Sequence, residues 1–237
     1  MSIYRYDGKM VIWSYIFDAP EIQSILSELD AVNATKTDKW SSDDITLPIY
    51  GLNIGATDGW GIFAAWSNGY WITQTGEAYK FDFDFAELAQ KYPGDNVREF
   101  PDSSVMPCAY YLAQDENGWS SALLTPAREP NPPDFLTMAL AVWHEDTVTV
   151  TIANNSDDDW GLGEYFSLDV QLDGAWYRIP TVPGNWGFND IGYALQGGKS
   201  QEMTYHLAMY GDLPDGVYRL IAYELSVEHT ISRNITA

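Results

Sequence analysis

The chain has 237 residues, with 12 Lys plus Arg set against 34 Asp plus Glu for a formal charge of -22, while 46% of its residues are apolar and 15% aromatic. Phosphate neutralisation needs clustered cations, so nucleic-acid binding is excluded. The apolar and aromatic content excludes a disordered acidic tail, and no apolar run approaches the roughly 18 residues of a membrane-spanning helix.

Met1 to Lys9 lacks an apolar core and a small-residue cleavage site, which fits either a cytoplasmic protein or a chain beginning after a removed signal or anchor. Lys9 to Phe17 then reads as a strand of aromatic and β-branched residues. Asp18-Ala19-Pro20-Glu21 follows with an N-cap, a proline in the first turn and an acidic residue. Ile22, Ile25, Leu26 and Leu29 supply helical spacing, which predicts an amphipathic helix. Leu47 to Ile54, Gly61 to Trp66 and Tyr70 to Thr75 read as short strands separated by Asp58-Gly59 and Asn68-Gly69, both tight-hairpin signals. Tyr79 to Phe83 reads as a further strand, and Phe85 to Tyr92 as a short helix stopped by Pro93-Gly94. This order predicts an α+β domain over residues 1–134.

Four prolines within Pro126 to Pro133 deny the backbone ladder donors, so that stretch reads as a stiff connector and boundary. Charge does not change across it: 8 minus 20 gives -12 for residues 1–134, and 4 minus 14 gives -10 for residues 135–237. Beyond it no helix is predicted. Thr147 to Ile152 alternates strictly, and short strands are read at 166–172, 176–180, 192–195, 202–207 and 216–225. Turn signals at Asp173-Gly174, Gly197-Gly198 and Asp215-Gly216 separate them. This predicts an all-β antiparallel sandwich of about seven strands over residues 135–237.

Within that half, Ile152-Ala153-Asn154-Asn155-Ser156, Gly163 to Asp169, Asp173 to Pro180, Phe188 to Tyr193 and Tyr210 to Leu220 resemble the bacterial immunoglobulin-like domain of Gram-positive envelope proteins. The resemblance covers roughly residues 135–228 and implies Glu where Asp169 stands. It also implies a non-catalytic ectodomain in an extracytoplasmic, secreted or lipoprotein setting, with any signal or anchor outside this sequence. The first half is similar to small α+β modules preceding such domains in secreted proteins, through its Asp-Ala-Pro-Glu helix start and Trp71 to Tyr79.

No catalytic constellation is found. Asp82 and Asp84 would lie about 7 Å apart on one strand face, yet they alternate with Phe81, Phe83 and Phe85 and read as a solvated face. Asp43-Asp44 and Asp157-Asp158-Asp159 read as solvated turns without the spaced pattern of a calcium loop. His144, His206 and His229 match no compact metal spacing. Cys108, in an apolar stretch without cations, reads as a buried structural thiol. There is no Gly-x-Ser-x-Gly elbow and no phosphate-cradling glycine loop, so no cofactor, no metal and no enzymatic activity are expected. The candidate ligand-binding residues are aromatic: Trp60, Trp66, Tyr70, Trp71 and Trp119, which stack on a protein partner or a neutral glycan if exposed together. Three readings stand: a non-catalytic binding or spacer protein of the bacterial envelope, a carbohydrate-binding module or cryptic glycan-active enzyme using those aromatics, and a purely structural or assembly protein that oligomerises through them. Any partner should be neutral or basic, because the acidic surface repels anions.

Overall fold

The structure, a computed structural model, describes residues 1–37, 44–55, 61–94, 96–99, 109–115, 118–183 and 186–232. It divides into two compact units, one of residues 1–125 with 180–183 and one of 126–179 with 184–237.

The first unit runs β1 (Ser2–Tyr6), β2 (Met10–Tyr15), α1 (Ala19–Asp30), β3 (Thr35–Thr37), β4 (Ile49–Gly55), β5 (Gly61–Ser67), β6 (Tyr70–Thr73), β7 (Ala78–Lys80), α2 (Phe85–Lys91), β8 (Asn96–Glu99), α3 (Ala109–Ala113), β9 (Gln114–Asp115) and β10 (Gly118–Trp119). Its centre is an eight-strand antiparallel sheet in the order β3-β7-β6-β5-β4-β1-β2-β8. Period-two alternation gives that sheet two apolar faces. On one face Ile3, Tyr50 and Leu52 pack with Ile25 of α1 and Phe85 and Leu88 of α2. On the other, Tyr4, Tyr6, Ile49 and Ile72 pack with Ala109 and Leu112 of α3. Ile25 and Phe85 are essentially fully buried, a burial that stabilises by about 1.5–3 kcal/mol per side chain.

Caps and turns follow the local chemistry. Glu21 N–H donates to Asp18 Oδ1 at 3.0 Å and Glu87 N–H to Asp84 Oδ1 at 2.8 Å, so an aspartate caps each of the first two helices. Asp84 therefore serves the helix start, while Phe81 and Phe85 are buried on the opposite parity. Asn68 and Gly69, at φ 49° and 80°, are the paired positive-φ residues of a tight hairpin turn joining β5 and β6. β1, β3, α3 and the strands from β8 onward in this unit are not expected from the sequence.

β11 (Thr125–Pro126) falls at the change of unit. The second unit then runs β12 (Leu136–Trp143), β13 (Thr147–Asn154), β14 (Trp160–Leu162), β15 (Ser167–Leu172), β16 (Ala175–Arg178), β17 (Tyr193–Leu195), β18 (Ser200–His206), β19 (Gly216–Ala222) and β20 (Leu225–Ile231). All its pairings are antiparallel, in the orders β12-β13-β18, β16-β15-β19-β20 and β14-β17. Val148, Val150 and Ile152 of β13, Leu168 and Val170 of β15, and Tyr218 and Leu220 of β19 are the buried parity. Tyr218 donates its hydroxyl to the Pro214 carbonyl at 2.6 Å, which satisfies the one polar atom of a fully buried ring.

The opposite parity of the second sheet holds a charge cluster. Asp169 on β15 lies in register with Arg178 on β16 and Arg219 on β19. Its carboxylate accepts from Arg178 Nε at 2.5 Å and Arg219 Nε at 3.0 Å. Asp169 and Arg219 are 0% and 2% exposed, although they sit on the face away from the apolar core. What covers them is the proline-rich stretch. Arg219 Nη1 donates to Glu129, its Nη2 to the Arg128 carbonyl, both at 3.0 Å, and its guanidinium lies 4.5 Å from the centre of the Trp176 ring. Ala127 N–H also donates to the Trp176 carbonyl at 2.8 Å. The stretch read as a stiff connector is thus bonded down across this sheet, because the Arg128 carbonyl and Glu129 accept the Arg219 donors that Asp169 does not use.

Breaking a buried ion pair by removing one partner costs about 3–5 kcal/mol. Since Arg178 stays with Asp169, Arg219→Met should lower the stability of the second unit by about 3 kcal/mol, read as a lower urea midpoint. In the first unit, Asp7 Oδ1 accepts from Met10 N–H at 2.9 Å and Lys9 N–H at 3.1 Å, and these bonds hold its pKa below the usual value. A depressed folded pKa supplies stability above the unfolded pKa that is lost as pH falls through the folded one. Carboxyl-detected NMR titration should place the Asp7 midpoint below the ordinary aspartate range, and Asp7→Asn should remove this part of the acid-side loss of stability.

Candidate binding surfaces

The aromatics of the first unit are distributed by the sheet itself. Trp66 and Trp71 are cross-strand partners, and Tyr50 is the partner of Trp66 on β4. All three face α1 and α2. Trp71 stacks on Phe85 with ring centres 5.5 Å apart, Trp66 tilts against the same ring at 5.5 Å, and Trp66 Nε1 donates to the Phe81 carbonyl at 2.9 Å. Both indoles are half-buried and spent on packing the helices against the sheet. Tyr70, one residue from Trp71, points to the other face by strand alternation and packs at the edge of the second cluster. Trp119 on β10 meets Tyr110 of α3 edge-on at 5.5 Å. Sequence proximity around a hairpin therefore brings Trp66 and Trp71 together and sends Tyr70 elsewhere. Trp60 lies outside the described residues, as do Cys108, Asp43 and the Asp58-Gly59 turn.

Tyr70 does border a groove of about 470 Å³, with Asn33, Asp44, Asn68, Lys80 and Asp82. Lys80 Nζ sits 5.8 Å from the Tyr70 ring centre, a cation over an aromatic face, and Asn68 Nδ2 donates to the Asp44 carbonyl at 3.0 Å.

Exposed aromatics occur in both units. In the first, Tyr15 and Phe17, 52% and 86% exposed, stack on each other at 5.9 Å and do not line the Tyr70 groove. In the second, a patch lies beside a groove. Tyr165 is 61% exposed, Trp186 45% and Ile191 50%. Tyr165 meets Phe188 edge-on at 5.1 Å, and Phe188 meets Phe166 at 5.6 Å. Phe166 in turn tilts against Tyr205 at 5.0 Å. Tyr165 lies against Phe188 just outside a groove of about 610 Å³, which Phe166, Phe188 and Trp186 line together with the consecutive residues Gln201 to His206 of β18. Glu164 stands at its rim, accepting from Asn189 Nδ2 at 3.0 Å and the Tyr193 hydroxyl at 2.9 Å. That bond to the carboxylate raises the Tyr193 phenol above its usual value, with desolvation adding to it. The sequence reading did not single out Trp186. Its signal was available: in Pro183-Gly184-Asn185-Trp186-Gly187 no strand or helix period offers the indole a buried face.

Among the described residues no group of three or more His, Cys, Asp or Glu is placed to hold a metal ion, and no helix is long and apolar enough to cross a membrane.

Residues 141–234 match the family model of a bacterial Ig-like domain. The C-terminal part of the chain carries that domain. Such a domain is typical of surface proteins, and its all-β sheets agree with the fold expected from the resemblance. The match lies wholly within the second half and leaves the first 140 residues unassigned. No curated protein matches the chain. Among solved structures, the crystal structure of MHC-like MILL2 is similar at 11% identity over 97% of this chain and 99% of that chain, with a TM-score of 0.15. At that score the likeness carries no argument.

The two sets of aromatics should respond differently to truncation. Trp66→Ala removes a ring from the helix-facing core and should destabilise the first unit by about 3 kcal/mol. Trp186→Ala, at an exposed position, should stay within about 0.5 kcal/mol of the parent. Urea denaturation followed by far-UV circular dichroism checks both.

Proposed function

We propose that the protein is a non-catalytic binding protein of the bacterial cell surface, working outside the cytoplasm, and that its partner-facing surface is the aromatic groove of the Ig-like unit. The observation that carries the reading is the patch of Tyr165, Trp186 and Phe188 beside that groove. Tyr165 and Trp186 are 61% and 45% exposed with Phe188 partly buried beside them, and large rings left in water next to a concavity are the residue types that dominate protein recognition. The acidic rim and the charge of -22 favour a neutral or basic partner.

A second reading keeps the neutral glycan as ligand and places it at Tyr70. The tyrosine ring there borders a groove walled by Asn33, Asp44 and Asn68, and sugars are held by an aromatic plane together with amide and carboxylate partners.

The test compares Trp186→Ala and Tyr70→Ala with the parent. Binding is read against envelope proteins extracted from Gram-positive cells and against a neutral-glycan array. The proposed reading expects envelope-protein binding to weaken at least tenfold in Trp186→Ala and to persist in Tyr70→Ala. Glycan binding lost only in Tyr70→Ala selects the second reading. Turnover of a glycan, peptide or ester by the purified protein, abolished by a single acidic substitution, would overturn both.

A further inference from the structure

The groove of the Ig-like unit has a wall made of one strand seen side-on. Six consecutive residues, Gln201 to His206, line it, and a strand lines a groove with consecutive residues only where its edge, not its face, is turned inward. β18 is that edge: it pairs with β13 on one side, and no described strand pairs with the other.

The ladder says which backbone groups point into the groove. Leu207 N–H donates to the Asp146 carbonyl at 2.8 Å, and Asn154 N–H donates to the Lys199 carbonyl at 2.9 Å. Antiparallel pairs alternate between bonded and non-bonded, so in this register Gln201, Met203 and Tyr205 bond to β13. Thr149 and Thr204 are then a close, non-bonded pair, consistent with their hydroxyls lying 2.9 Å apart. The N–H and C=O groups of Glu202 and Thr204 consequently face away from β13, toward the groove. Edge strands are commonly blunted by proline, lysine or a bulge. β18 carries none of these, and its pairing with β13 continues without a shift of register.

From this edge, the aromatic wall and the acidic rim we infer that the groove takes an extended, basic segment of a partner protein by β-strand addition. This rests on the groove proposed above as the partner surface and specifies how it binds. Backbone bonding to Glu202 and Thr204 supplies affinity, and alternate side chains supply selectivity. Side chains on the outer face fall beside Glu202, where a Lys or Arg is favoured and a carboxylate is repelled. Those on the inner face meet Phe166, Phe188 and Trp186, which favours apolar residues. The expected segment alternates basic and apolar residues. A second copy of β18 fits poorly, because it would bring another Glu202 to an acidic edge on a chain of charge -22.

The test titrates the full-length protein with three synthetic peptides: one alternating Lys and Val, one alternating Glu and Val, and the Lys-Val peptide N-methylated at every second residue. Intrinsic tryptophan fluorescence, with Trp186→Ala as the control that isolates the Trp186 contribution among ten tryptophans, and amide NMR report binding. The inference expects the Lys-Val peptide to bind, with the Glu202 and Thr204 amides shifted and protected from exchange. The Glu-Val and N-methylated peptides should bind at least tenfold more weakly. Thr204→Pro removes one groove-facing N–H at an edge position where proline is tolerated, and should lose the Lys-Val peptide while keeping the circular dichroism of the parent. Glu202→Lys leaves the backbone untouched and should reverse the preference toward Glu-Val. Equal binding of the N-methylated peptide, or no peptide binding at all, overturns strand addition. In either case persistent Trp186-dependent binding of envelope proteins leaves the groove reading standing. Dimerisation of the parent in sedimentation, abolished by Thr204→Pro, would overturn the inference in favour of a second copy on this edge.

Discussion

A carboxylate with no contact to solvent stands on the outward parity of a β-sheet, and the second unit is arranged around it. Asp169 on β15 is flanked in register by Arg178 and Arg219. Two cations against one buried anion leave Arg219 with donors that Asp169 does not use. Those donors recruit Glu129 and the Arg128 carbonyl, and so draw the proline-rich stretch over the sheet. Proline suits this stretch because its contacts are made by the non-proline positions, the N–H groups of Ala127 and Asn131, the Arg128 carbonyl and the Glu129 carboxylate, so the N–H missing at each proline is no loss there. Cations are scarce, with 12 against 34 acidic groups. Two of those 12 are committed to a single aspartate, which leaves the outer surface more acidic than composition alone implies.

The two units solve the problem of covering a sheet in different ways. In the first, both faces of an eight-strand sheet are apolar, one covered by α1 and α2 and the other by α3. In the second, the inward parities of two sheets are buried as apolar residues, and part of one outer face is sealed by ionic and backbone bonds. Where helices cover the first sheet they absorb its rings, as with Trp66 and Trp71 against Phe85, whereas Tyr15 at the end of β2 and Phe17 after it stay 52% and 86% exposed. An antiparallel unit with one polar face and long connections leaves rings such as Tyr165 and Trp186 in water.

Much of this was legible in local chemistry. The Asp18 cap, the Asn68-Gly69 and Asp173-Gly174 turns and the alternation of β13 follow from rules acting over a few residues, and each is found where those rules place it, whereas Asp84, read as part of a solvated strand face, caps α2. β1 was not legible, because its partners β2 and β4 are what identify it as a strand, and that pairing is set at long range. β12 follows the proline stretch, and its burial departs from simple alternation around a bulge between Leu140 and Val142. The aromatic site candidates show the same limit. Clustering in sequence identified Trp66, Tyr70 and Trp71, but whether a ring meets solvent depends on which helix covers its face. Trp186 is the reverse case, being exposed because nothing periodic surrounds it.

The turn joining β19 and β20 extends the point to design. Tyr223 and Glu224 occupy it at φ 54° and 61°, positions that local preference would give to Asn and Gly. The tyrosine hydroxyl donates to the Gly163 carbonyl, and the Glu224 carboxylate accepts from Asn131 N–H at 3.3 Å. Each strained residue thus ties the hairpin tip to a segment remote in sequence, one before β15 and one in the proline stretch. An engineer who idealised this turn would obtain a better hairpin and a looser domain. Strain in the backbone here marks a junction at which three separate pieces of chain are fastened together.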